Sequence, residues 1–152
     1  SQAFDTDDGS AWYSMYDNFF YDALGYKNDY GGYNVNYHGN LNVVWNWVNG
    51  QSCWGVGKVN MNGPANNITN NTCIVYGCRH PECEDIVAWL MYPNVVQESP
   101  MTLQENVYYT VHGNATWQIQ NKNGSWSYWN LTQIQSVGLE EKSMFGGLPS
   151  NE

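Results

Sequence analysis

Positive charge is scarce in this chain. Its 152 residues hold five Lys+Arg against fourteen Asp+Glu, a formal net charge of −9. A surface this acidic repels phosphate backbones, which argues against nucleic acid and anionic membranes as partners. Charge of either sign is low, at 12% of residues, so solubility must come from another source. No apolar run approaches the roughly 20 residues that a membrane helix needs. The sequence opens at Ser1 with neither Met nor an apolar h-region, as expected of a mature form after signal removal. Also missing are a Ser/His/Asp set and a Gly-rich phosphate loop followed by Lys-Ser/Thr. His38, His80 and His112 show no metal-ligand spacing. No internal repeat or linker is evident, and the length suits one domain, 1–152, with 1–10 and 146–152 as loose ends.

Asparagine is what the chain has in place of charge. Five Asn-x-Ser/Thr sequons begin at Asn67, Asn70, Asn114, Asn123 and Asn130, a density that points to a secreted glycoprotein. Four cysteines, Cys53, Cys73, Cys78 and Cys83, suit two disulfides in an oxidising compartment. Three pairings are open, and Cys53–Cys73 with Cys78–Cys83 ties two strands and closes one tight loop. A Cys3His zinc site from Cys73, Cys78, Cys83 and His80 is the metal alternative, but a disulfide framework needs no metal, so none is expected. Asp5, Asp7 and Asp8 are spaced like the start of a calcium loop, yet no Glu follows where such a loop requires one. They read as a solvated acidic terminus, and no cofactor is expected.

Period-two alternation dominates the pattern. LNVVWNWVNG sets Leu41, Val43, Trp45 and Trp47 against Asn42, Val44, Asn46 and Val48, the signature of a strand with two unlike faces. GGYNVNY and ENVYYTVHG alternate in the same way. ATWQIQNK and SWSYWNLTQI flank Asn123-Gly124, a hairpin signal. YDNFFYDALGY is the one window with helical spacing, capped by Asp17 and with Phe20 and Leu24 on one face. The sum predicts an all-β domain of eight to ten short strands, a sandwich or jelly roll of two antiparallel sheets.

Aromatic residues make up 16% of the chain, with twelve Tyr and eight Trp. Large rings build cores, and here they also flank polar residues, as in NYHGN, WNWVN and SWSYWN. A sheet face of rings and amides suits sugar: rings stack on the C–H face of a pyranose while amides and phenols bond its hydroxyls.

The stretch Val75-Tyr76-Gly77-Cys78-Arg79-His80-Pro81-Glu82-Cys83-Glu84 resembles a strand motif of family 11 glycoside hydrolases, the small endo-xylanases, of the form V-Y-G-W-[ST]-R-N-P-x-x-E-Y-Y. Tyr26 to Tyr37 is similar to the family's Y-T-N-x-x-G-G-x-Y-x-V-N-W, and SWSYWNLTQ to its F-x-Q-Y-W-S-V-R strand; in-order matches span about three quarters of the chain. The resemblance implies a retaining endo-β-1,4-xylanase with Glu84 as nucleophile, Tyr76 and Arg79 beside it, and Tyr37, Trp45 and Trp47 lining the groove. A retaining glycosidase needs a second carboxyl about 5–5.5 Å away, for which Glu140 is the candidate acid/base. The reading preferred from the residues themselves is that Glu140 and Glu141 are solvated acids of a terminal segment. One residue is deleted after Cys78, and the family's E-Y-Y is Glu84-Asp85-Ile86 here. Three readings follow: a secreted xylanase-like enzyme, a carbohydrate-binding module on the same scaffold, and a structural glycoprotein that self-associates through strand edges. The expected partner in the first two is a polysaccharide or oligosaccharide.

Overall fold

The computed structural model of the chain describes residues 2–29, 32–46, 52–57, 65–78, 85–91, 101–111 and 113–147. The strands follow one another in circuits. The first circuit is β1 (Gln2–Thr6), β2 (Ser14–Tyr16) and β3 (Phe19–Tyr21); the second is β4 (Leu24–Asn28), β5 (Asn36–His38) and β6 (Leu41–Asn46). The third is β7 (Trp54–Val56), β8 (Asn66–Thr69) and β9 (Thr72–Cys78), and the fourth β10 (Ile86–Leu90), β11 (Met101–Gln104) and β12 (Val107–Thr110). The fifth holds β13 (Thr116–Gln120), β14 (Trp126–Asn130), the short helix α1 (Leu131–Gln135) and β15 (Met144–Gly147). Corresponding strands stack into a six-stranded sheet β1-β4-β7-β10-β13-β14, a four-stranded sheet β2-β5-β8-β11 and a five-stranded sheet β3-β6-β9-β12-β15. The result is a three-sided β-solenoid in which each coil buries its apolar faces on its neighbours.

This overturns the expected antiparallel sandwich or jelly roll. Among the described strands every pairing is parallel except β13 with β14. Alternation marks a segment as a strand with two faces, but it carries no information about which strand lies alongside. A parallel partner needs a long connection, and here that connection is the rest of the coil. The one antiparallel pair is the hairpin that the sequence predicts. Its loop has Gly124 at φ 85 and is closed by Asn121 N–H to the Ser125 carbonyl at 2.7 Å.

The coils repeat through one corner, between the four- and five-stranded sheets. A residue in the left-handed region (Asp17, Gly39, Asn70, Glu105, Lys142; φ 56, 67, 54, 59 and 57) is followed by Asn18, Asn40, Asn71, Asn106 or Ser143. The four asparagines stack as a ladder. Each gives its backbone N–H and its side-chain Nδ2 to the Oδ1 of the next, at 2.9–3.1 Å from Asn18 through Asn106. A polar group buried without a partner costs about 1–3 kcal/mol, so a ladder that satisfies both ends of the buried amides of Asn40, Asn71 and Asn106 holds the coils in register. The window read as a helix capped by Asp17 is this corner. It continues into β3, a turn at Asp22 (φ 52) and β4, because the left-handed Asp17 directs Asn18 into the ladder and not into a first helical turn.

Inward columns fill the interior. Tyr26, Trp54, Ala88 and Trp117 stack beneath one another on the six-stranded side, and Tyr37, Ile68 and Leu103 on the four-stranded side, all buried. Backbones and rings approach closely at Gly25, where an added Cβ would overlap Asn42 Oδ1 and stand 2.5 Å from the Cys53 carbonyl oxygen. Gly25→Ala is therefore expected to disrupt the Tyr37–Asn42 hydrogen bond. It should lower stability by about 1–3 kcal/mol, seen as a lower denaturation midpoint at unchanged m-value.

Candidate functional site

The solenoid disperses the residues that the family resemblance groups together. Glu84, Arg79 and Trp47 lie outside the described residues. Glu140 is fully buried at the end of the asparagine ladder. Its carboxylate accepts from the Tyr108 hydroxyl, from Asn106 Nδ2 at 3.0 Å and from Ser143 Oγ at 2.6 Å. Burial pushes this carboxyl up from its ordinary value, against the donors around it, which lower it. A group walled off in this way cannot protonate the leaving group of a polymer arriving from solvent, nor is it the solvated acid of a terminal segment. Tyr37 is buried as well, stacked between Tyr26 and Phe20 with its hydroxyl on Asn42. It is core and not groove, since β5 turns Tyr37 inward and Asn36 and His38 outward.

Tyr76 and Trp45 do come together, on the outer face of the five-stranded sheet. Their rings meet edge to face at 4.8 Å, and the Tyr76 hydroxyl lies 3.0 Å from that of Tyr21, which also stacks on it. That bond is the main cause pushing the Tyr76 phenol up to about 12, so it stays neutral. The surroundings are apolar: Phe19, Leu41, Val43, Ile74, Val107 and Met144 share this face. The alternation in LNVVWNWVNG is real but points the other way from a simple core reading. Leu41, Val43 and Trp45 face out, while Asn42 and Val44 are buried.

Cys53 and Cys73 form a disulfide across the interior of the third coil, so Cys73 has no thiolate for a zinc site. The Cys78–Cys83 pairing involves Cys83, which lies outside the described residues, as do His80 and His112. Of the three acids of the N-terminal stretch, read as a solvated terminus, Asp5 and Asp7 pair with Lys27 Nζ at 3.3 Å and 3.5 Å, and Asp29 lies 3.8 Å from the same amine. Among the described residues no group of three or more His, Cys, Asp or Glu is placed to hold a metal ion.

A cleft of about 690 Å³ opens where the β13–β14 hairpin, α1 and β15 meet. Its apolar lining is Trp129, Leu131 and Phe145, which pack on the core, with Tyr128 as a wall. Its polar lining residues are Asn114, Asn130, Gln133, Thr116, Thr132 and Asp85. The local sequence explains this placement. In β14, Trp126, Tyr128 and Asn130 face outward while Ser127 and Trp129 are more covered. At Asn130 the strand ends in a capping box: its Oδ1 accepts from Gln133 N–H, and Gln133 Oε1 accepts from Asn130 N–H, each at 2.9 Å. That box starts α1 and turns Thr132 and Gln133 onto the cleft. Asp85 sits one residue before β10, its carbonyl accepting from Thr116 N–H at 3.0 Å, which fixes it beside β13. The aromatic-amide pattern of SWSYWN marks the β14 wall in the sequence; Asp85 carries no such mark, because only coil stacking brings it to β13. No protein-family model matches this chain, and no curated protein or solved structure matches it either.

Proposed function

We propose that this chain is a secreted glycan-binding protein that takes a short neutral oligosaccharide in the cleft between the β13–β14 hairpin, α1 and β15. The observation that carries the reading is the cleft's lining: an exposed ring, Tyr128 (49% exposed), beside the polar residues Asn114, Thr116, Asn130, Thr132 and Gln133 and one acidic residue, Asp85. A binding pocket for a small ligand spans about 300–1,000 Å³ and needs a few convergent polar groups on an apolar floor, and this cleft has both. Hydrolysis needs two carboxyls flanking the bond. Asp85 is the one acid among the described lining residues, so the reading is binding without turnover. A buried disulfide and five sequons support an oxidising, extracellular setting.

The test is calorimetric titration with a panel of neutral oligosaccharides, xylo-oligosaccharides included. Saturable binding is expected, with no release of reducing ends. Tyr128→Ala should weaken it about tenfold, about 1.4 kcal/mol, at unchanged stability. Asn114 and Asn130 are both sequon asparagines and cleft residues, so protein from a host that attaches no N-glycans is the material to use. A glycan at either position should suppress binding. Absence of saturable binding across the panel, or binding indifferent to Tyr128→Ala, ends this reading.

A further inference from the structure

The two ends of the solenoid are unlike. At one end the antiparallel strand β14 closes the six-stranded sheet, and α1 follows it directly. At the other end β1, β2 and β3 are each the outermost strand of their sheet, and no described residue pairs with their outer edges. The interior is open there too. Phe4 and Phe20 point inward yet are only half-buried, whereas Tyr26, Trp54 and Trp117, further along the column that starts at Phe4, are at most 1% exposed. The asparagine ladder stops in the same plane. Asn40, Asn71 and Asn106 each receive two donors on Oδ1 from the coil before; among the described residues no donor reaches Oδ1 of Asn18. Residues 2–23 carry Asp5, Asp7, Asp8, Asp17 and Asp22 and no Lys, Arg or His.

We infer that this end is a docking face for one further solenoid coil, supplied by a strand-forming polypeptide with cationic outward side chains. The direction follows from the ladder. Asn18 Oδ1 takes donors only from a corner placed as Asn40 is placed relative to Asn71, which makes the added strands parallel to β1, β2 and β3. The charge follows from the five carboxylates, of which Lys27 reaches only Asp5 and Asp7. A second copy suits the face poorly. Head to head, it brings carboxylates to carboxylates and the acceptor of one Asn18 to the acceptor of the other; head to tail, it meets β14 and α1. Unpaired edges and an open core end are the features that added strands satisfy.

The probe is a labelled peptide copying residues 22–46 with Asp22 and Asp29 replaced by lysine, which carries the sequences of β4, β5 and β6 and the corner residue Asn40. Binding is followed by fluorescence anisotropy and by hydrogen exchange of the full chain. The expected result is saturable, salt-sensitive binding with new amide protection confined to β1, β2 and β3. Affinity should fall at least tenfold when the peptide carries Asn40→Ala or has its lysines replaced by glutamate. It should also fall when the protein carries Asp17→Lys with Asp22→Lys. The same peptide fused ahead of Ser1 through a flexible linker supplies an effective concentration in the millimolar range and should protect the same amides. Protection elsewhere, binding blind to Asn40→Ala, or no protection even in the fusion overturns the inference. So does a concentration-dependent dimer of the unmodified chain that covers β1, β2 and β3, since the occupant is then a second copy.

Discussion

Glu140→Ala is expected to be strongly destabilising, lowering stability by about 3–5 kcal/mol, because it leaves three buried neutral donors unpaired at about 1–3 kcal/mol each. The side chain ends the asparagine ladder and collects the Tyr108 hydroxyl, Asn106 Nδ2 and Ser143 Oγ at once. Removing it strands three donors in an interior that water does not reach. Glu140→Gln keeps the volume and one acceptor, so it should be milder, and it separates charge from shape. Because burial raises the Glu140 pKa in the folded protein above the ordinary 4.5, the folded state holds this proton more tightly than the unfolded chain. Its contribution is then fully present below about 4.5 and is lost as pH rises through the folded-state value. Urea titrations at stepped pH should show wild-type stability declining over that interval relative to Glu140→Gln. A wild type and a Glu140→Gln variant with parallel pH profiles would show that the carboxyl is not held this way.

The second large effect is expected from the disulfide. Replacing Cys53 and Cys73 together by alanine should remove about 3 kcal/mol, the chain-entropy value for closing a loop of this size, the two cysteines being 20 residues apart. For a domain of this length that corresponds to a fall in Tm of roughly 6–12 °C, measured by calorimetry. The bond joins the start of β7 to β9 through the interior of the third coil, and both cysteines are buried. Two consequences follow. Mild reductant should leave the folded protein unchanged, and the reduced protein should match the double-alanine variant. A double variant with wild-type Tm would mean that coil stacking alone sets the stability of the third coil.

The two predictions differ in how visible their residues are in the sequence. Cys53 and Cys73 are legible as one of three pairings, since an even number of cysteines in an Asn-rich, sequon-bearing chain implies bridges. Glu140 is not. In LEEKS it looks like a solvated acid, and the family resemblance makes it a catalytic one; the structure makes it neither. Nothing local distinguishes it from Glu141, which is exposed. The difference is the left-handed backbone at Glu140 (φ 55) and the coil lying beneath it. The repeat was hidden for a related reason. The ladder asparagines are 22, 31 and 35 residues apart, because loops of unequal length intervene, so no fixed period exists to detect. The shared feature is the corner dipeptide, a left-handed residue followed by asparagine, and asparagine is too common here to stand out.

Local sequence, by itself, determined that the chain forms short two-faced strands, that Asn123-Gly124 closes a hairpin between β13 and β14, and that β14 carries rings and amides on one side. Those features depend on side-chain alternation and turn chemistry within a few residues, where the chain is its own context. Only the tertiary structure decided that the strands run parallel, that Asn42 points in while Trp45 points out, that Glu140 is sealed in, and that Asp85 meets Thr116 across two coils. Each of these depends on which strand lies alongside. That choice is made by burying whole coil faces and completing the asparagine ladder, interactions between residues tens of positions apart that no local pattern encodes.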